Sequence, residues 1–110
     1  MFIIVTKYLI PKGFRGITIF PFVLLRNQTD VSNLIILNHE RIHIRQQLEL
    51  LILPFFIWYG VEFLIRLLIL KDKIQAYRNI SFENEAYLNE NNLTYLSNRK
   101  LFSFMKYFRL

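Results

Sequence analysis

The segment NHERIH places His39 and His43 four residues apart, with Glu40 directly after the first. On a helix of 3.6 residues per turn that spacing separates two side chains by only ~40°, so both imidazoles can reach one cation. Glu40 is offset by ~100° and flanks the same point, where a carboxylate can take a proton from water. The chain has only two histidines. Chance would set two four apart with Glu after the first about one time in a thousand, which favours a metal motif. The competing reading is a pair of solvated histidines on an amphipathic helix. These residues make zinc the expected cofactor, with His39 and His43 as ligands and Glu40 as general base.

A catalytic zinc ion usually has three protein ligands and leaves a fourth position to water. With no further histidine and no cysteine, the third must be an oxygen donor, and the pattern HExxHxxGxxH is excluded. The acids downstream are Glu49, Glu62, Asp72, Glu83, Glu85 and Glu90. Glu49 lies ~80° from the histidine stripe and farther along the helix axis. Glu62 stands four residues before Arg66 and suits an ion pair along one helix. Glu83 and Glu85 both suit the positive end of a helix dipole near Ser81, and they point ~160° apart, so one at most faces an ion.

With HERIH and the later ENEA, the chain resembles the gluzincin class of metallopeptidases, and in particular the small single-domain minigluzincins. The resemblance spans roughly residues 33–90. It implies a zincin-like fold, zinc-dependent cleavage of a peptide or protein substrate, and a glutamate on a later helix as third ligand. Glu83 is then the expected ligand, with the small Ala86 three positions on letting that helix approach the histidine helix. The class often places Asp four residues after the ligand to orient a histidine; here that position is Tyr87. A phenolic oxygen or another neighbouring group would have to take that role. Zinc brings the pKa of its water near ~7, and Glu40 would accept the proton and return it to the leaving amine. Tyr77, Arg78, Tyr87 and Arg41 are candidates to stabilise the developing oxyanion. Gln46, seven after His39, shares the metal-facing stripe and could orient a ligand.

The elements that must position these groups read as one α+β domain, mostly helical, over residues 1–110. Residues 1–30 are strand-like, with FIIVT and GITIF separated by Pro11, Gly13 and Gly16, and Pro21 opening a further strand, FVLLR. The resemblance to zincins implies that the GITIF strand borders the cleft and pairs with an extended peptide. A helix is predicted over 33–53, capped by Asp30 or Ser32 and ended by Pro54. An apolar helix follows over 55–70, then a shorter polar one in KDKIQAYRNI. The third-ligand helix is predicted over 81–92 with Ser81 as N-cap, and a basic amphipathic tail over 99–110, helical to about 108.

Hydrophobic residues make up 54% of the chain, with eleven Phe and six Tyr, more than a domain of this size ordinarily buries. Some apolar surface therefore meets lipid or a partner unless the core is very rich. Residues 1–29 carry four basic and no acidic side chains, and residues 99–110 likewise four and none. Basic ends suit an anionic membrane or nucleic acid, but no motif supports nucleic acid. The apolar run from Leu50 to Val61 is too short for a span, and extending it takes in Glu62 and Arg66, so a buried or interfacial helix fits better. The start lacks the pattern of a secretory signal peptide. The expected location is the cytoplasmic side, at a membrane surface or free of it. The rival to a peptidase is a noncatalytic membrane-associated helical protein with a structural or vestigial metal site.

Overall fold

In a computed structural model that describes residues 1–108, the chain is a small α+β fold. A three-stranded sheet covers one end of a set of helices. The strands are β1 (Phe2–Val5), β2 (Gly16–Ile19) and β3 (Phe22–Leu25), in spatial order β1-β3-β2. β1 runs parallel to β3, and β2 pairs antiparallel with it, joined through a cis Phe20–Pro21 bond. β2 is therefore an edge strand. Arg26 N–H donates to the Arg15 carbonyl at 3.0 Å, which fixes the alternation: residues 15, 17 and 19 bond β3, while Gly16, Thr18 and Phe20 point their backbone groups outward.

Helix α1 (Leu34–Glu49) lies against this sheet, packing Ile36 and Leu37 on Val23 and Leu25. Its N-cap is Asn33, whose side chain accepts from the N–H groups of Ile35 and Ile36 at 3.0 and 3.2 Å. Asp30 and Ser32, expected as caps, lie instead in a short 3₁₀ helix, Gln28–Ser32. Asn33 wins because its extended backbone directs the side-chain oxygen at the free N–H groups of the first turn. Nor does Pro54 end this helix. It sits in the first turn of α2 (Leu53–Leu70), where its missing N–H leaves nothing unpaired. The chain turns between the two helices at Leu51 and Ile52, both at positive φ. Leu53 N–H closes on the Leu51 carbonyl at 2.6 Å, a strained γ-turn around a β-branched residue.

After α2 come α3 (Lys73–Arg78) and α4 (Ser81–Asn89). Ile80 is the N-cap of α4, and Ser81 is its first helical residue. What satisfies that end is Glu62, buried on α2, which accepts from Ser81 N–H at 2.8 Å and from the Ser81 hydroxyl. The expected ion pair between Glu62 and Arg66 does not form among the described residues, because the Glu62 carboxylate is spent on this cap. The other end of α4 is held by Asn38 of α1, whose amide donates to the carbonyls of Asn89, Glu90 and Asn92.

The predicted tail helix is broken up. A single helical turn, α5 (Tyr95–Asn98), precedes Arg99, and a 3₁₀ helix covers Ser103–Tyr107. Arg99 binds Glu85 through Nε at 2.5 Å and Glu49 through Nη1 at 2.5 Å, and Phe102 N–H joins Glu49. These bonds set the path of the segment, so it does not run as one helix. Phe104 points into a second core with Phe55, Ile80 and Phe82, while Leu101, Met105 and Phe108 stay exposed. The tail therefore presents no single apolar helix face. Arg109 and Leu110 of that tail lie outside the described residues.

Candidate metal centre

α1 turns an unusual face inward: Asn38, His39, Glu40, His43, Gln46 and Gln47 are all buried. His39 is 1% and His43 4% exposed, which rules out a pair of solvated histidines. α4 brings Glu83 to them. The Glu83 Oε1 lies 3.2 Å from His39 Nε2 and 3.0 Å from His43 Nε2, and the two Nε2 atoms are 3.2 Å apart. With metal–ligand bonds of ~2.0–2.1 Å, neighbouring donors of a tetrahedral zinc ion stand ~3.3 Å apart. The three donor atoms therefore already form, within a few tenths of an ångström, one triangular face of such a tetrahedron. Ala86, fully buried one turn further on, keeps α4 close to α1.

Each of the three groups is oriented by a partner behind it, an arrangement that groups able to bind a metal need. His39 Nδ1 meets Glu90 Oε1 at 3.2 Å, and that same oxygen is held by Arg15 at 3.4 Å. His43 Nδ1 donates to Gln46 Oε1 at 2.8 Å, while the Gln46 amide donates to the Phe82 carbonyl and to Glu85. The second oxygen of Glu83 accepts from the Tyr59 hydroxyl at 2.8 Å, leaving Oε1 for the shared point. All buried side-chain polar atoms among the described residues have a hydrogen-bond partner.

Electrostatics favour positive charge between the three groups. Burial alone would hold His43 neutral, but the charge and hydrogen bond of Glu83 outweigh it and raise its pKa to about 9. His39 is raised too, with burial opposing and hydrogen bonds to Glu83 and Glu90 prevailing. Glu83 itself, although buried, is held well below the usual carboxylate range by the two imidazoles. A proton or a metal ion can supply that charge.

Glu40 points to the other side of this cluster. Its Oε2 accepts from the Thr18 hydroxyl of β2, and its Oε1 lies beside Gly16, where an added Cβ would stand 3.4 Å away. That Cβ would also come within 2.7 Å of the Leu24 carbonyl, so only glycine lets β2 and β3 pair this closely beside the carboxylate. Glu40, His43 and Glu83 line one cavity of about 280 Å³, walled by Phe14 and Ile17 on one side and by Phe55, Phe56, Tyr59 and Phe63 of α2 on the other.

The expected third ligand, Glu83, comes to the histidines, and Glu85 does not: it faces Arg99, Tyr95 and Gln46. Glu49 is likewise taken by Arg99. Of the four expected oxyanion donors, only Tyr77 lines the cavity. Its hydroxyl lies 3.1 Å from that of Tyr87, and burial, then the charge of Glu83, push its pKa upward, so it remains an O–H donor. Arg41 is exposed on the far side of α1, and Arg78 stacks on Tyr87 at 4.2 Å outside the cavity. Tyr87 packs its ring edgewise on His39 rather than bonding a ring nitrogen; Glu90, one turn further along, takes that role.

Sequence reasoning missed Tyr59, Thr18 and Gln47. Gln47 donates to the Thr18 carbonyl at 2.6 Å and accepts from Phe20 N–H at 2.7 Å, clamping β2 to α1. Its one visible signal is its place beside Gln46, eight residues after His39 on the same helix face. Compared with known proteins, the chain matches no family model, no curated protein and no solved structure.

Proposed function

We propose that this centre binds zinc through His39, His43 and Glu83 and hydrolyses peptide bonds with Glu40 as general base. The observation that carries the reading is the triangle of Nε2, Nε2 and Oε1 with sides of 3.0–3.2 Å. Two neutral imidazoles and one carboxylate are a donor set that zinc takes up while keeping a position open. A zinc ion held there supplies Lewis acidity toward water and a peptide carbonyl.

The chain's own groups supply the rest. Thr18 fixes Oε2 of Glu40, and Oε1, beside Gly16 at the cavity wall, would accept a proton from water and return it to the leaving amine. Tyr77 is the O–H donor placed to meet negative charge developing on the carbonyl oxygen. Gly16, Ile17 and Thr18 border the cavity on an edge strand. An extended peptide adding to that edge would pair with the outward groups of Gly16 and with Thr18 N–H. Gln47 already occupies the Thr18 carbonyl and Phe20 N–H.

The experiment is zinc content together with cleavage of a mixed peptide library. The purified protein is expected to carry about one equivalent of zinc and to lose activity with a chelator. Glu40→Gln should retain the zinc and cleave about 10²–10⁴-fold more slowly. Cleavage by Glu40→Gln at the parent rate would refute the role of that carboxylate. Zinc without any hydrolysis would favour a noncatalytic metal site.

A further inference from the structure

Helix α2 is amphipathic in the wrong sense for a helix in water. Its only charged residues, Glu62 and Arg66, are buried and half-buried respectively. Its outward stripe is apolar from end to end: Ile57 is 61% exposed, Val61 52%, Leu64 56% and Leu68 69%. These positions follow the i, i+4, i+7, i+11 spacing of one helix face. No polar side chain interrupts the stripe, and at Gly60 nothing would meet an added Cβ. From Ile57 to Leu68 this makes a continuous apolar strip ~17 Å long, unlike the scattered exposed leucines of a soluble surface.

Charge marks what covers it. Lys71 and Lys73 follow the C-terminal end of α2, both exposed. Asp72 between them is engaged as N-cap of α3, accepting from Ile74 and Gln75 N–H. Near the other end Phe104 packs on Trp58 at 5.1 Å. That brings up the 3₁₀ segment, Ser103–Tyr107, with exposed Met105 and Lys106, and the exposed Lys100 and Leu101 just before it.

We infer that this stripe lies in the surface layer of an anionic lipid bilayer, with α2 parallel to the membrane and the lysines at its ends on lipid phosphates. An apolar helix face with cations at its margins is the pattern of an interfacial helix. A spanning orientation would carry the Glu62–Ser81 cap and the polar α3 into hydrocarbon, where such groups are costly. The inference stands apart from the metal chemistry, since no ligand of the centre takes part.

The test is flotation of the full chain with vesicles of phosphatidylcholine containing about 30% phosphatidylglycerol, and with phosphatidylcholine alone. The protein should float with the anionic vesicles, with and without chelator, and more weakly with the neutral ones. Leu64→Gln with Leu68→Gln, both at exposed positions, should lower partitioning by about tenfold or more with the circular dichroism spectrum unchanged. In a Trp58→Phe background, Leu64→Trp should be quenched by brominated lipid, and Leu88→Trp on α4 should not. Four outcomes would each overturn the inference: no flotation with either vesicle, undiminished flotation of the double variant, a lipid-free dimer that the double variant disperses, or resistance to extraction at alkaline pH.

Discussion

Two helices that follow each other in the chain invert the ordinary rule in opposite ways. α1 buries polar side chains, and α2 exposes apolar ones. On α1 each buried group is answered: His39 by Glu90, His43 by Gln46, Glu40 by Thr18, and Asn38 by the end of α4. Burying such groups is unfavourable unless each finds a partner, and a set so completely matched holds one arrangement rigidly. On α2 the buried Glu62 is satisfied by Ser81, and the apolar stripe is left over. A polar interior with every partner supplied points to chemistry inside the fold, whereas an apolar exterior with none points to a neighbour outside it.

This contrast can be broken at particular residues. The largest loss of stability is expected from Arg99→Ala, which leaves Glu85 and Glu49 without their cation; about 3–5 kcal/mol is expected in denaturant unfolding. The pH dependence follows from Glu85. Burial would raise its pKa, but hydrogen bonds from Arg99, Tyr95 and Gln46 lower it below the ordinary value. Its contribution is therefore present above the unfolded carboxylate pKa and fades as pH falls through the lower folded one. Acid should lower stability in the parent, and a Glu85→Gln variant should respond less. A parent insensitive to acid below about pH 4 would contradict this.

A smaller effect is expected at Glu90, which holds His39 Nδ1. Glu90→Gln loosens the orientation of His39 and should weaken zinc binding about 10–100-fold with the fold intact, read by competition with a chelating dye. Unchanged affinity would mean that Glu90 acts only through Arg15. The smallest effect belongs to the outer face of α2. Leu64→Gln should alter unfolding free energy in lipid-free solution by no more than about 0.5 kcal/mol. A loss of 2 kcal/mol or more, the range of a buried leucine, would show that α2 is covered within the fold.

What could be read beforehand followed the range of the forces involved. The relation of His39, Glu40 and His43 is set by local helix geometry, and the run of β-branched residues before it by pleated packing. The mostly helical α+β class follows from the same patterns. Glu83 was reachable only through a resemblance, because nothing in the spacing between residues 43 and 83 says which acid folds back. Tyr59 stood in a run of aromatics and gave no separate signal. The caps differ for two reasons: at α1 the neighbouring Asn33 has the extended backbone that a cap needs, and at α4 a distant side chain, Glu62, serves the first turn across 19 residues. The tail departs from its helical periodicity because Arg99 links it to two distant carboxylates, a constraint that local spacing does not carry.

Zinc-dependent hydrolysis here requires three donor atoms to meet at one cation, and zinc titration of the parent beside Glu83→Gln measures that directly. The parent should take up one equivalent, with His-nitrogen and oxygen distances of ~2.0–2.2 Å in X-ray absorption, and Glu83→Gln should bind at least about a hundredfold more weakly. Equal zinc binding by the two proteins, or none by the parent, would contradict it.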